Sequence, residues 1–313
     1  VPELPEAETT LRKLTSIIRK TIAGFSADLP RGLRITKSAA KIAKDIKNRK
    51  IAALTRTGKV IFLWLTSKDS HSNALKNVRI NSVKSRRRNV KKEAYERVLA
   101  LHQGMSGRLL LKRRANHSHS PPRKETMDEK YVRARVIFED GRELLFKDPR
   151  KFGVIWYGSP REIEEDRYLA ALGPDGLTVT FQEFKHRLQK HKGMIKPLLL
   201  RQDTVAGIGN IIADETLWEA RIHPKRRLTS LTPQMMQTLF KALKRVLLRS
   251  IRAGGTTLRD WKHPDGKSGK FQNYMRIYGR DGKPCIRCGN KVRRIIVGSR
   301  GTWICPMCQK YAD

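Results

Sequence analysis

All four cysteines of the chain lie near its C-terminal end, in two knuckles: "CIRC" (Cys285, Cys288) and "CPMC" (Cys305, Cys308). Two Cys-x-x-Cys knuckles at this separation suit a tetrahedral four-cysteine zinc site. Four protein sulfurs leave no position open for a substrate, so such a metal is structural. Two other readings share the pattern. Two disulfides are disfavoured in an intracellular chain, and a thioredoxin-like redox pair leaves the second knuckle unexplained. A ribbon this small has no core of its own, so metal binding supplies most of its folding free energy, on the order of 10 kcal/mol.

The opposite end, "VPELPEAETT", crowds Glu3, Glu6 and Glu8 around Pro2 and Pro5, in a chain with 67 Lys+Arg, 29 Asp+Glu and a formal charge of +38. Further in, "VAGIGNIIADE" (205–215) places two glycines ahead of Asn210 and a helix. Such a turn lets backbone N–H groups approach a phosphate, with Lys196 able to join the surface; a tight helix–helix turn explains it equally well. "HQGMSGRL" (102–109) and "DPRKFG" (148–153) present Met105, Arg150 and Phe152 on short turns. The plain reading is a buried methionine and a core phenylalanine. The functional one is a wedge: an enzyme acting on a base in duplex DNA extrudes it and fills the hole with apolar or planar side chains.

These groups need elements to hold them. Leu11, Leu14, Ile18 and Ile22 form a stripe that predicts a helix over 9–23, with Glu6 and Glu8 near its positive end. "KVIFLWL" (59–65) and "VRARVIFEDGRELLFKD" (132–148) read as strands, the second a hairpin about Asp140-Gly141 with Val132, Ala134 and Val136 alternating against Arg133 and Arg135. Beyond residue 160 the pattern turns helical, through "SPREIEEDRYLAALG" and "FQEFKHRLQKH" to "LTPQMMQTLFKALKRVLLRSIRAGG". There Thr232 fits the N-cap, Pro233 the first helical position and Gly254 the stop, while Met236, Phe240, Leu243, Leu247 and Ile251 line a core face. The plan is a β-rich half, a helical half and a terminal zinc hairpin. Two polar stretches, 66–97 and 113–130, fit no packed domain and read as solvated loops or as extra grip on nucleic acid.

Composition bounds the function. Hydrophobic content of 39% excludes wholesale disorder. The basic excess calls for a polyanion, usually nucleic acid, which leaves a ribosomal protein, a repressor and a repair enzyme all open. The longest apolar run, "VIFLWL", falls far short of the roughly 20 residues of a spanning helix, and the acidic start lacks a signal peptide's apolar region. The expectation is a soluble intracellular protein.

Taken in order, "PELPEAET", "TGKVIFLWL", "HQGMSGRL", "DPRKFG", "VAGIGNIIADE", "GGTTLRDW", "FQNYMRIYGRDGKPCIRCG" and "SRGTWICPMCQK" follow the motif order of the Fpg/Nei family of DNA glycosylases. The chain most resembles the formamidopyrimidine-DNA glycosylase branch, and "GGTTLRDW" with "DGKSGKFQ" separates it from the endonuclease VIII side. The match spans nearly the whole chain. It implies an α+β multidomain fold: an N-terminal β-sandwich with a helix over 1–158, bearing the basic insertion 66–97; a helix–two-turn–helix DNA-binding domain over 159–262; and a lesion loop with a C-terminal four-cysteine zinc-finger hairpin over 263–313. It also implies a bifunctional DNA glycosylase/AP lyase of base excision repair. Such an enzyme excises oxidised purines (8-oxoguanine, formamidopyrimidines) from duplex DNA through a Schiff base and cuts the strand by β,δ-elimination. One structural Zn2+, a monomer, no membrane and a bacterial cytoplasm at the nucleoid complete what the resemblance implies. An endonuclease VIII-like preference for oxidised pyrimidines, or a noncatalytic DNA-binding paralogue, are the alternatives.

By the same resemblance Pro2 is the nucleophile, as a secondary amine titrating near ~8 rather than a lysine that would be almost wholly protonated. Glu3 is the catalytic acid, Glu6 supports the N-terminus, and Lys59 contacts phosphates beside the lesion and assists as an acid. Met105, Arg150 and Phe152 fill the space of the flipped nucleotide; Lys196, Asn210 and Arg300 contact phosphates; Cys285, Cys288, Cys305 and Cys308 bind zinc. Val1 holds the initiator position, read as a literally translated alternative start, and Pro2 is nucleophilic only once Val1 is removed. Ile212 replaces a common tyrosine and with it one phosphate hydrogen bond; Arg201 replaces a common acid and Gln103 a common leucine.

Overall fold

The computed structural model describes residues 2–28, 33–67, 95–113 and 130–311. Val1, most of the basic insertion 66–97 and most of the polar stretch 113–130 lie outside the described residues. The chain divides into two compact units. Pro2, Glu6–Ala170 and Thr257–Gly269 belong to the first; Glu3–Pro5, Ala171–Thr256 and the chain from Lys270 onward belong to the second.

Helix α1 (Leu4–Lys13) starts and ends earlier than the periodicity predicts. Pro5 is tolerated in the first turn because N–H groups there have no helical partner to lose. A 3-10 turn at Thr15–Ile17 and a left-handed Arg19 (φ 68°) end the helical path. Past them, β-branched Thr21 and Ile22 favour extension, and Ile22–Ala27 becomes strand β1. Most of the apolar stripe is still used: Leu11, Leu14 and Ile22 lie in one core, which Ile17 joins, while Ile18 is only partly buried against it.

After β1 come β2 (Arg34–Ile35), α2 (Ala39–Ile46), β3 (Lys50–Thr57), β4 (Val60–Thr66), β5 (Arg97–His102), β6 (Arg108–Arg113), β7 (Val132–Phe138), β8 (Arg142–Lys147) and β9 (Val154–Gly158). One sheet has the order β2-β9-β5-β4-β3 and the other β1-β7-β8-β6. Leu54, Leu63 and Leu101 from the first share a core with Phe25, Val136 and Phe146 from the second, so the two sheets form a β-sandwich. Strand β4 is buried on both faces, because Phe62 and Trp64 on its outer side are covered too, Trp64 by the ring of Tyr95 at 5.4 Å. The predicted hairpin joins β7 to β8 at Asp140-Gly141. Its alternation breaks at one point: the register shifts between Val132 and Ala134, and Arg133 is buried, its Nε donating to the Asp148 carbonyl at 3.1 Å. Helices α3 (Pro160–Glu165), opened by a Ser159/Glu162 capping box, and α4 (Arg167–Ala170) follow. The segment Thr257–Gly269 packs on this unit, with Leu111 N donating to Pro264 O at 2.8 Å.

The second unit holds α5 (Phe181–Gln189), α6 (Ile195–Leu200), α7 (Asn210–Glu219) and α8 (Pro233–Arg252) around one core. The α8 signals are all used: Thr232 Oγ1 accepts from Met235 N at 3.2 Å, Pro233 opens the helix, and Gly254 stands at φ 74° beyond it. Strands β10 (Arg293–Val297) and β11 (Arg300–Ile304) pair as the terminal hairpin. Among the described residues no helix is long and apolar enough to cross a membrane.

Candidate active site and metal centre

Glu3 is buried at the start of α7. Its carboxylate accepts from Gly209 N at 3.0 Å, Ile211 N at 2.9 Å and Ile212 N at 3.1 Å. These are the donors a helix leaves unpaired at its positive end, where an anion is favoured. Leu4 N donates to Gly207 O at 3.0 Å. The two glycines of "GIG" make this approach possible: a Cβ on Gly207 would stand 2.6 Å from the Leu4 side chain, and one on Gly209 would stand 2.3 Å from Glu3 Cδ. The sequence suggested that this turn admits a phosphate. What it admits is the chain's own residues 3 and 4, and the Glu3 carboxylate takes the helix N–H groups. Pro2, the residue before Glu3, is buried.

Lys196, Asn210 and Arg300 meet at strand β11. Lys196 is fully buried, and its Nζ lies 2.6 Å from Asp214 Oδ1 and donates to Thr302 Oγ1 at 2.7 Å and Gly301 O at 3.2 Å. Asn210 Nδ2 donates to the same Gly301 O at 2.9 Å, while neighbouring Arg300 is exposed. Burial pushes the Asp214 carboxyl up to about 7, opposed by the Lys196 charge, and lowers the Lys196 ammonium. Asp214 also accepts from Trp303 N at 3.2 Å. Glu215 beside it is buried and accepts from the backbone N–H groups of Arg276, Ile277 and Tyr278, each with a bond of 2.9 to 3.0 Å. These two acids were not singled out as site residues. Their signal is two carboxylates inside the largely apolar "NIIADETLW". Ile212 is buried with its N–H on Glu3, and Arg201 pairs with Asp203 at 2.6 Å.

The cysteine sulfurs of the hairpin all lie within 4.8 Å of one another, with Cys288–Cys305 at 3.4 Å, Cys288–Cys308 at 3.5 Å and Cys285–Cys308 at 3.9 Å. Tetrahedral Zn–S bonds of about 2.3 Å require sulfurs about 3.8 Å apart. The four are free of disulfides. They form the ligand set of one structural zinc. Gln309 ties this knuckle to the helical domain, accepting from Cys305 N at 3.1 Å and donating to Ile222 O at 3.0 Å.

In the first unit, Lys59 lies with Gly58 on the turn between β3 and β4. Arg56, which no sequence motif marks, holds that turn: it donates to Gly58 O at 2.8 Å and pairs at 3.0 Å with Glu8, which is buried and also binds Arg12 at 2.8 Å. His102 Nδ1 accepts from Gly104 N at 3.0 Å, and burial, helped by the Lys59 charge, lowers its pKa to about 4. Met105 and Phe152 are exposed, at 36% and 52%, as is Arg150, so none is the core residue of the plain reading. The Arg150 guanidinium lies 5.0 Å over the Phe152 ring. Gln103 is buried, with its Oε1 accepting from Trp261 Nε1 at 3.1 Å. Glu6 is buried within α1.

Known proteins match this arrangement along its whole length. Residues 1–155 match the formamidopyrimidine-DNA glycosylase N-terminal domain, 172–262 the formamidopyrimidine-DNA glycosylase H2TH domain, and 282–310 the zinc finger found in FPG and IleRS. The formamidopyrimidine-DNA glycosylase of Deinococcus radiodurans is 34% identical over 99% of this chain and 97% of its own. The crystal structure of MutM (Fpg) from Thermus thermophilus superposes with a TM-score of 0.77 at 32% identity, covering 100% of both chains. Lactococcus lactis Fpg is 28% identical, with TM-scores of 0.77 to 0.78 over 99% of this chain and 100% of its own. It has been solved with abasic-site DNA, as a variant with Fapy-dG DNA, and with DNA containing an oxidised pyrimidine.

Proposed function

The chain belongs to the formamidopyrimidine-DNA glycosylase family, enzymes that act on damaged DNA in repair, and from that premise we propose that it is a bifunctional glycosylase/AP lyase for oxidised purines in duplex DNA. The observation that carries this reading is the fixed carboxylate of Glu3, held by three helix N–H groups in the residue next to Pro2.

In this mechanism Pro2, as a free secondary amine, attacks C1′ of the damaged nucleotide. The C1′–N bond breaks, its electron pair leaves with the base, and the base takes up a proton. The attacking nitrogen gives up its proton, and its lone pair then opens the sugar ring: the C1′–O4′ bond breaks, O4′ takes a proton, and C1′ and the Pro2 nitrogen are left as an iminium. The iminium acidifies the C2′ proton; its loss expels the 3′ phosphate, and a second elimination expels the 5′ phosphate. Water then hydrolyses the imine and frees Pro2. Glu3 protonates the opening sugar and shuttles protons, which requires a carboxylate held in one place beside the amine. Glu6 supports the N-terminus. Lys59, on a turn braced by Arg56, contacts phosphate near the lesion and assists as an acid. Met105, Arg150 and Phe152, exposed on their turns, fill the space of the extruded nucleotide. Arg300 and Asn210 bind phosphates; buried Lys196 contributes charge there and fixes the strand that carries Arg300.

The abasic-site and Fapy-dG complexes of the Lactococcus enzyme support the lyase and purine assignments, and its oxidised-pyrimidine complex keeps pyrimidine lesions in the test. The experiment is borohydride trapping on a duplex with one 8-oxoguanine opposite cytosine, with Pro2→Gly as control and intact mass to read the N-terminal residue. A covalent complex lost in Pro2→Gly is expected, from protein that starts at Pro2. Trapping only on oxidised pyrimidine would move the substrate class. No trapping on any lesion or abasic site would leave a DNA-binding protein without catalysis.

A further inference from the structure

Met105, Arg150 and Phe152 sit on two separate turns, and one carboxylate joins those turns. Asp148 is fully buried. Its Oδ1 accepts from Ser106 Oγ at 2.7 Å and Arg150 N at 3.3 Å, and its Oδ2 accepts from Gly153 N at 2.7 Å. Ser106 Oγ in turn accepts from Arg150 N at 3.2 Å. Asp148 thus bonds the residue after Met105, Arg150 itself and the residue after Phe152. Its own backbone is pinned on both sides, with N donating to Tyr131 O at 2.9 Å and O accepting from Arg133 Nε at 3.1 Å. The turns also interlock directly: a Cβ on Gly104 would stand 2.5 Å from the Phe152 carbonyl carbon. Between the exposed pair, Lys151 takes a left-handed φ of 61°, unusual for a residue with a side chain, and Arg150 and Phe152 lie against each other across it.

We propose that Asp148, acting with Ser106, is the positioning residue of the wedge, holding Met105, Arg150 and Phe152 as one preformed unit before DNA arrives. The inference rests on the wedge reading given above. Extruding a nucleotide sacrifices its stacking and pairing, and a filler offsets that loss only when its side chains are already placed. Three side chains on two independent turns would have to be brought into order at each event. Locked to one buried carboxylate, they enter together.

The test uses the full zinc-bound protein and compares Ser106→Ala and Asp148→Asn with Phe152→Ala. The readout is the rate of 8-oxoguanine release from duplex DNA divided by the rate of strand cutting at a preformed abasic site, both in single turnover. An abasic site has no base to extrude, so a general loss of folding or of amine chemistry leaves the ratio unmoved. Fluorescence of 2-aminopurine beside the lesion reads unstacking on binding without any chemistry. The ratio is expected to fall about tenfold in Ser106→Ala and further in Asp148→Asn, approaching Phe152→Ala, with weaker 2-aminopurine unstacking in each. Should Asp148→Asn fail to fold, Ser106→Ala decides. A ratio and fluorescence change at wild-type level in Ser106→Ala and folded Asp148→Asn, while Phe152→Ala loses both, would overturn the positioning role. Wild-type behaviour in Phe152→Ala would remove the wedge reading itself, and the inference with it.

Discussion

Replacing Gly209 by alanine probes the placement of Glu3 without touching the carboxylate. The backbone of Gly209, at φ −124° and ψ −166°, is extended conformation that any residue adopts. Alanine therefore carries no conformational penalty there, and a less flexible unfolded chain would on its own stabilise the fold by about 0.4–1 kcal/mol. The penalty is steric and falls on one group. The new Cβ would stand 2.3 Å from Glu3 Cδ, 2.5 Å from Oε1 and 2.6 Å from Cγ. Restoring ordinary contact at roughly 3.5 Å moves the carboxylate about 1 Å. The bonds of 2.9 to 3.1 Å to Gly209, Ile211 and Ile212 cannot all survive that move. Each buried N–H left unpaired costs about 1–3 kcal/mol, and misplacing a catalytic group by about 1 Å slows the chemistry roughly 100-fold. The assay is single-turnover release of 8-oxoguanine together with a denaturation curve. Gly24→Ala serves as control, because a Cβ there meets nothing nearer than Ile137 Cδ1 at 4.0 Å. Lesion release at the wild-type rate by Gly209→Ala would refute the claim that Glu3 must be held at the helix start.

Stripping zinc with a chelator should release one equivalent and unfold the β10–β11 hairpin, whose folding depends on roughly 10 kcal/mol of metal binding. With Arg300 no longer presented, DNA binding weakens across all sequences and its salt slope drops by about 1, measured by titration at several salt concentrations. Lys196→Met takes the ammonium from the buried Asp214, whose raised pKa lets it protonate at neutral pH, and should destabilise the second unit by up to about 3–5 kcal/mol in urea unfolding at alkaline pH, while Lys196→Met combined with Asp214→Leu recovers most of the loss. His102 supplies a pH dependence. Its folded pKa, lowered by burial to about 4, lies below the unfolded 6.5, so its contribution is complete above 6.5 and is lost as pH falls from 6.5 through 4. That window corresponds to at most about 3 kcal/mol, and His102→Asn should flatten it in acid unfolding curves.

Local chemistry was legible in the sequence wherever one residue type at one spacing permits one solution. The paired knuckles specify a thiolate cluster because tetrahedral zinc needs four sulfurs close together, and the sulfurs are so placed. Thr232, Pro233 and Gly254 bound α8 because a helix end must pair or dispense with its own N–H and C=O groups. The sandwich was legible as a run of strands; the stop of α1 was not, since an apolar stripe fits a helix, a turn and the start of β1 alike until the core selects among them.

Burial and long-range pairing belong to the tertiary structure. The turn at "GIG" has the same sequence whether it meets a phosphate or a carboxylate, and only the packing of residues 3 and 4 against it decides for Glu3. Lys196 reads as a surface cation until Asp214, eighteen residues later in a helix, is seen to face it in the core. Asp148 lies in a quoted motif, yet its role depends on Ser106 and Arg133, which approach it from another turn and from a bulged strand. A sequence determines which groups exist and which local shapes they favour. Which donor meets which acceptor is settled by the fold, because a polar group deprived of water must take the partner that packing brings to it.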